Sequence, residues 1–420
     1  MHSDNVPQMA YDIGGQRWVK DAPGFAEAIE DAHTARRRPR CLCVPEGVEM
    51  YVARLAGSHG GYIVKRMPDT GYRHTPDCHS YEPPADVSGL GQMLGSAINE
   101  DPVTGQTSLR LGFSLTKMPG RSQTPLAGGG SESVSTDGTK LSLRGLLHYL
   151  WDQAELTKWH PGFAGKRTWG TVRRQLLLAA DDKFARGDSL RSRLYIPETF
   201  FLDQRDAIIA RRSAKWLQAL SAPGKPQRLM LLIGEVKEII PARYGFKVVV
   251  KHLPDQAFAL DQQLYRRLGR HFETELALWG ACEHMHMVII ASFSVAETGV
   301  PVISELSLMP VTQHWLPVEN TFDERLVDAL VNQGRSFRKG VRYNLPSTTP
   351  VANATLIDTG DEPCYLRISR EAGAAWEGSG QIQTSYRLFP PHIWVWHPET
   401  EAMPPIPKKR LLTETVGSCP

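Results

Sequence analysis

The 420-residue chain is 41% hydrophobic and 22% charged. This is ordinary for a soluble globular protein, and the length predicts more than one folded domain, since a single core seldom grows beyond roughly 250–300 residues. Its apolar runs, such as 229–233 and 288–291, are far too short to span a bilayer, and residues 1–10 lack a basic stretch followed by an apolar one. No membrane contact and a cytoplasmic location are therefore expected. The net charge of +3 is unevenly spread: residues 158–228 hold 15 Lys and Arg against 6 Asp and Glu.

The first segment, residues 1–84, reads as a small β module. Strand-like runs at 50–55 and 62–66 flank Gly57-Ser58-His59-Gly60-Gly61, a hairpin with a glycine-rich turn. Half of the six cysteines fall here, as Cys41-Leu42-Cys43 and, after the hairpin, His74-Thr75-Pro76-Asp77-Cys78. Two close pairs of soft donors on either side of a hairpin fit one tetrahedral Zn2+. Cys41, Cys43, His74 and Cys78 are the expected ligands. His79 is the competing imidazole, placed less well because it adjoins Cys78. Four protein ligands leave no open position, so such a zinc would be structural. The nearby run Arg36-Arg37-Arg38-Pro39-Arg40 reads either as a phosphate contact or as a solvated helix end.

Residues 85–140 give one alternating run, 108–115, then a Gly/Ser-rich linker at 118–138. From 141 to 227 the period becomes helical. Leu143, Leu146, Leu147, Leu150, Trp151 and Ala154 make one stripe, Val172, Leu176, Ala179, Ala180 and Phe184 a second, and 206–220 a third helix. This basic helical segment interleaves Lys158, Lys166, Arg167, Arg173, Arg174, Arg191 and Arg193 with Trp159, His160 and Trp169. Cations among aromatic rings neutralise phosphates and stack on bases, so DNA or RNA contact is expected there.

Residues 228–318 read as an α+β core, with strands at 228–240, 246–252, 285–295 and 300–309 around a helix carrying Leu260, Leu264, Leu268, Phe272 and Leu276. Residues 319–400 open with a helix at 322–337 and continue with strands at 341–344, 351–358, 365–368 and 393–396. Residues 401–420 read as a loose tail. The expected fold class is thus α+β and multidomain, with a zinc-ribbon-like module at its start.

The runs from Arg40 to Cys43 and from Tyr62 to Cys78 resemble the bacterial family catalogued as domain of unknown function 1173, which is marked by three N-terminal cysteines matching Cys41, Cys43 and Cys78. Leu232-Ile-Gly-Glu-Val-Lys-Glu238, Val250-Lys-His-Leu-Pro254 and Phe337-Arg-Lys-Gly-Val-Arg-Tyr343 are similar to it as well. The resemblance implies a metal site and a bacterial, mobile-element setting with other mobile-element proteins as partners. It implies no reaction.

Glu235-Val-Lys237 is half of a metal-dependent nuclease constellation, but Asp203 and Asp206 do not sit on the preceding strand that such a core requires. The C-terminal section repeats the order helix, strand, strand, strand after Glu324. It places Ala352-Asn353 and Leu366-Arg367 where acidic ligands belong, so it reads as a degenerate nuclease-like core. Asp358 is read as a turn initiator before Thr359-Gly360-Asp361. His284 and His286 alternate on a strand without a third donor. No catalytic residue is assigned. The expectation is a zinc-containing, nucleic-acid-associated binding protein, the alternatives being a metal-dependent nuclease, active or degenerate, and a protein-assembly factor.

Overall fold

In the N-terminal sheet, β1 (Ala10–Ile13) and β2 (Gln16–Val19) form a hairpin. Gly14 and Gly15 turn it at φ +66° and +84°, a region that costs glycine nothing. Helix α1 (Phe25–Thr34) then lays Phe25, Ile29 and Ala32 onto the sheet at helical spacing. Strands β3 (Arg40–Cys41), β4 (Val48–Arg54) and β5 (Tyr62–Arg66) complete an antiparallel order β2-β1-β3-β4-β5. The hairpin expected at 50–66 is present as β4 and β5, paired from Met50↔Arg66 to Arg54↔Tyr62. The computed structural model describes residues 9–54, 61–117, 138–220, 226–243, 245–369 and 393–410, so the turn at 55–60 and most of the linker at 118–138 lie outside the described residues.

Short elements follow: β6 (Ile98–Glu100), β7 (Thr107–Leu109), β8 (Thr116–Lys117), α2 (Leu143–Gln153), β9 (Lys158–Trp159), α3 (Trp169–Ala179), β10 (Lys183–Ala185), β11 (Asp188–Ser189), α4 (Leu190–Arg193), β12 (Leu194–Tyr195), α5 (Arg205–Trp216) and β13 (Gln227–Arg228). Ser142 and Thr168 cap α2 and α3 with their hydroxyls, accepting from Gly145 N and Thr171 N. The run 108–115 keeps its alternation, burying Leu109, Leu111, Phe113 and Leu115, but only β7 pairs as a strand. Beyond it the backbone bonds singly to other loops, Gly112 N to Leu141 O for instance. Phe184 sits on β10 instead of the second helix, because α3 ends at Ala179 and the chain turns at Asp181-Asp182.

Next come β14 (Met230–Ala242), β15 (Gly245–Val250), β16 (Ala257–Leu260), α6 (Gln262–His271), α7 (Glu273–Ala281), β17 (His286–Val295) and β18 (Pro301–Val311). β14 pairs with both β15 and β17, and β18 pairs with both β17 and β16, so the five strands close into a ring. Closure needs strong coiling of β14. Gly234 permits it, since a Cβ there would stand 2.7 Å from Val250 Cγ1, and a bulge between Val236 and Glu238 adds twist. Leu232, Val236, Val248, Val250, Phe258 and Phe293 fill the interior. The single helix expected around 260–276 is two. Leu260 belongs to β16, Asp261 caps α6 by accepting from Leu264 N at 2.7 Å, and the chain breaks at Phe272.

The C-terminal part holds α8 (Thr321–Asn332), β19 (Phe337–Lys339), β20 (Ala354–Leu356), β21 (Cys364–Ile368) and β22 (Ile393–Trp396), in sheet order β22-β21-β20-β19-β9. Phe337 begins a strand instead of ending the helix. Residues 341–344, expected as a strand, form a seam against α2: Tyr343 N donates to His148 Nδ1 at 3.0 Å and Ser142 Oγ to Asn344 Oδ1 at 2.7 Å. Gly340 is required there, since a Cβ would lie 1.8 Å from Ala352 O. Part of the expected loose tail is docked, with Trp394 Nε1 donating to Pro405 O at 3.1 Å; residues 411–420 lie outside the described residues.

The whole is a mixed α+β structure with eight α-helices among the described residues. Its largest buried cluster joins Leu109, Leu146, Ile233, Ile290 and Tyr343, so segments 85–140, 141–227, 228–318 and 319–400 share one core. Among the described residues no helix is long and apolar enough to cross a membrane.

Candidate metal centre

Cys41 ends β3, where pairing with Tyr11 and Val48 fixes its backbone, and Cys43 follows in the turn that leads to β4. The β4–β5 hairpin carries the chain away. A turn at 67–70 and a 3-10 turn at Gly71–Arg73 bring it back, so that His74 and Cys78 arrive beside the first pair. Cys78 N closes its own turn on Thr75 O at 2.9 Å.

The result is one cluster of four donors. One ligand atom each from Cys41, Cys43, His74 and Cys78 lies within 4.8 Å of every other, and this is the group of three or more His, Cys, Asp or Glu donors so placed among the described residues. Cys41 Sγ stands 3.8 Å from Cys78 Sγ, Cys43 Sγ 3.3 Å from His74 Nδ1, and Cys78 Sγ 3.6 Å from the same nitrogen. No disulfide forms among them. The arrangement can hold a metal ion. His79 points elsewhere, its Nε2 lying 3.5 Å from Glu155, which decides between the two imidazoles.

The electrostatics show thiols crowded against one another. Hydrogen bonds from Cys41, then Cys78, drive the Cys43 thiol below its ordinary range. The counterpart is a Cys41 thiol pushed up to about 11, chiefly by the bond it gives Cys43. Burial, and after it the sulfur charges of Cys41 and Cys78, raises the neighbouring Tyr11 phenol. A cation amid the sulfurs would relieve this competition by letting all three ionise.

The seven cationic residues expected at a nucleic acid are not gathered on one open surface. Arg167 Nη1 donates to Leu156 O at 2.9 Å, and its guanidinium lies over the Trp159 and Phe163 rings. Arg193 is buried against Asp188. Arg173 donates to Ile196 O at 3.1 Å, Arg191 pairs with Asp181 at 2.5 Å, and Lys158 reaches His79 O at 3.4 Å. Lys166 and Arg174 stay exposed. The run at 36–40 is a helix exit, in which Arg38 pairs with Glu49 and Arg40 donates to Glu46 O at 2.7 Å.

One charged cluster escaped sequence reasoning. Glu235, 3% exposed, accepts from Lys251 Nζ at 2.5 Å and bonds His286 Nδ1 at 2.6 Å. His286 stacks on Trp315 with ring centroids 4.3 Å apart. Burial would raise the Glu235 pKa, yet the bonds from His286 and Lys251 hold it below the usual carboxylate range. Glu235 is therefore partnered by Lys251, not by Lys237, which is exposed. His284 is exposed and does not share this site. The signal lay in Lys251-His252, two polar residues ending an apolar strand. Asp358 clamps Arg335 through two bonds, 2.6 and 3.1 Å, and accepts from Ser336 N.

A family model described as a protein of unknown function, DUF1173, matches residues 11–399, and the chain belongs to that family. No curated protein and no solved structure matches it.

Proposed function

We propose that this member of the DUF1173 family holds one structural Zn2+ on Cys41, Cys43, His74 and Cys78, and works by binding nucleic acid rather than by catalysis. The ligand spacing carries the metal reading. A tetrahedral zinc with Zn–S of about 2.3 Å and Zn–N of about 2.0–2.1 Å separates two sulfurs by roughly 3.8 Å and a sulfur from a nitrogen by roughly 3.5 Å. The chain's own separations are 3.8 Å for Cys41–Cys78, and 3.3 and 3.6 Å from His74 to Cys43 and Cys78. Three sulfurs and one imidazole also favour zinc over the hard cations, which take oxygen. Nucleic-acid contact is supported by the local cationic excess, with Lys166 and Arg174 the open members of the expected set.

The test is elemental analysis of purified protein together with retention on single- and double-stranded DNA and RNA at low salt. About one zinc per chain, and binding that weakens steeply with salt, are expected. Absence of zinc removes the metal reading. Failure to retain nucleic acid leaves the assembly-factor alternative.

A second reading rests on the C-terminal sheet. Helix α8 leads into β19, β20 and β21 as an antiparallel meander, and β22 lies parallel to β21, the order expected for a nuclease-like core. Its helix carboxylate is Asp323, fully buried, 3.2 Å from Lys339 Nζ and 3.1 Å from Asn353 Nδ2. An ammonium and an amide thus face Asp323 where an active enzyme of this kind gathers carboxylates around Mg2+. In this reading the core is degenerate, and incubation with Mg2+ or Mn2+ leaves plasmid and oligonucleotide substrates uncut.

A further inference from the structure

We propose that the outer face of β15 and β16 is a track for single-stranded nucleic acid. The inference deepens the nucleic-acid reading above and rests on it, and adds a contact on the barrel to that of the helical segment. The ring runs β14-β15-β16-β18-β17 and back to β14, with β16 parallel to β18 and helices α6 and α7 inserted between its third and fourth strands. This is the connectivity of the five-stranded Greek-key barrel known as the OB fold, in which the second and third strands and the loops beside them carry oligonucleotides. Connectivity alone does not make a site.

The packing supplies the first argument. Leu231 and Ile233 of β14, Val288 and Ile290 of β17, and Met309 and Val311 of β18 point outward into the helical core, so that side of the barrel is covered. Leu264 and Leu268 of α6 join the interior cluster. The outer positions of β15 and β16 belong to none of the buried clusters: Lys247, Val249, Ala257 and Ala259 are each only partly buried. The second and third strands are the side left open.

The surface supplies the second. The register sets Lys247 opposite Ala259 and Val249 opposite Ala257, so short side chains floor a shallow strip on which sugars and base faces can lie. The bulge in β14 then adds cations at its edge. With Val236 and Ile239 both packed toward the interior cluster, Lys237 and Glu238 both face out, Lys237 exposed and Glu238 partly so. Lys247 opposes Ile240 on the same face. Lys237 and Lys247 therefore flank the strip; Glu238 is the opposing charge beside them, and Glu235 farther along β14 is already engaged by Lys251 and His286. No ion pair engages either lysine among the described residues, unlike most of the cations in the helical segment. That asymmetry favours the barrel as the place where phosphates are neutralised.

The experiment is fluorescence anisotropy of the full chain with a labelled oligothymidylate of about 20 nucleotides, longer than the roughly 4–16 that one such fold covers. The double variant Lys237→Glu/Lys247→Glu should lose affinity about tenfold or more. Lys237→Gln/Lys247→Gln, which keeps side-chain size, should flatten the salt dependence by a slope of about 1.4, roughly 0.7 for each phosphate contact removed. Lys166→Glu/Arg174→Glu, at the helical contact, should lose less affinity than the barrel charge reversal. Parent-like binding by both barrel variants, with loss in the Lys166/Arg174 variant, overturns this proposal and leaves the nucleic-acid reading standing. No binding by the parent chain at low salt overturns both.

Discussion

Residues 10–78 and residues 230–311 each contribute five β-strands, yet the first buries nine side chains in its cluster, one of them Cys41, while twenty fill the cluster within and around the second. The barrel has interior aromatics, Phe258 and Phe293 meeting edge to face at 5.3 Å, and a ring of strands without a free edge on that side. The N-terminal sheet has one stacked pair, Tyr11 and Phe25 at 5.7 Å, but no such closure, and its four soft donors sit where its last turn must be tied to its first strands. Burial scales with the size of a module and coordination does not, so under the proposed metal reading the small sheet would gain from one ion what the barrel gains from its interior.

The largest expected effect is metal removal. Replacing Cys41 and Cys78 by serine, or chelating the ion, should unfold the N-terminal sheet, because binding free energy of about 10–16 kcal/mol in small zinc modules is folding free energy. Hydrogen exchange should then show β3, β4 and β5 unprotected while β14 and β17 keep their protection. Equal loss in both regions would break the contrast. Next in size, Phe293→Ala, which empties a fully buried position in the barrel, should cost about 3–5 kcal/mol in denaturant unfolding and leave zinc content unchanged. A fall in zinc content would show the two regions to be coupled.

The smallest effect, over the single pH unit tested, is acid sensitivity in the core shared by α2 and the C-terminal seam. Burial, and after it the charge of Arg144, pushes the His148 pKa from 6.5 down to about 3. The unfolded chain binds a proton that the native one refuses, so the contribution is fully present above pH 6.5 and is lost on acidification toward about 3. The loss is about 1.4 kcal/mol for each pH unit within that window. His148→Asn, whose amide oxygen can accept from Tyr343 N as Nδ1 does, should reduce the slope of stability between pH 6.5 and 5.5. An unchanged slope would place the acid sensitivity elsewhere.

Much of this was legible in the chain itself. The four ligands declare themselves because Cys-x-Cys and His-x3-Cys are local patterns of rare residue types, and the α2 stripe because its period repeats through eleven residues. Less visible were β1, β2 and α1, since four-residue strands carry too little alternation to stand out. The cationic run from 158 to 193 shows the limit plainly. Composition gives its charge, but whether a cation meets solvent, a carbonyl or a carboxylate depends on chain segments far from it, as Arg167 does on His314 O at 3.4 Å and Lys158 on His79 O at 3.4 Å.

By itself, then, the order of residues singled out the three cysteines of the candidate metal site, the mixed α+β character and most helices and strands, because these depend on side chains within a few turns or one hairpin of each other. Only the tertiary structure chose His74 over His79, paired Glu235 with Lys251 and His286, and closed β14 to β18 into a ring. Those outcomes are set by contacts between residues tens of positions apart, and strand order is a property of the closed ring that no local pattern encodes.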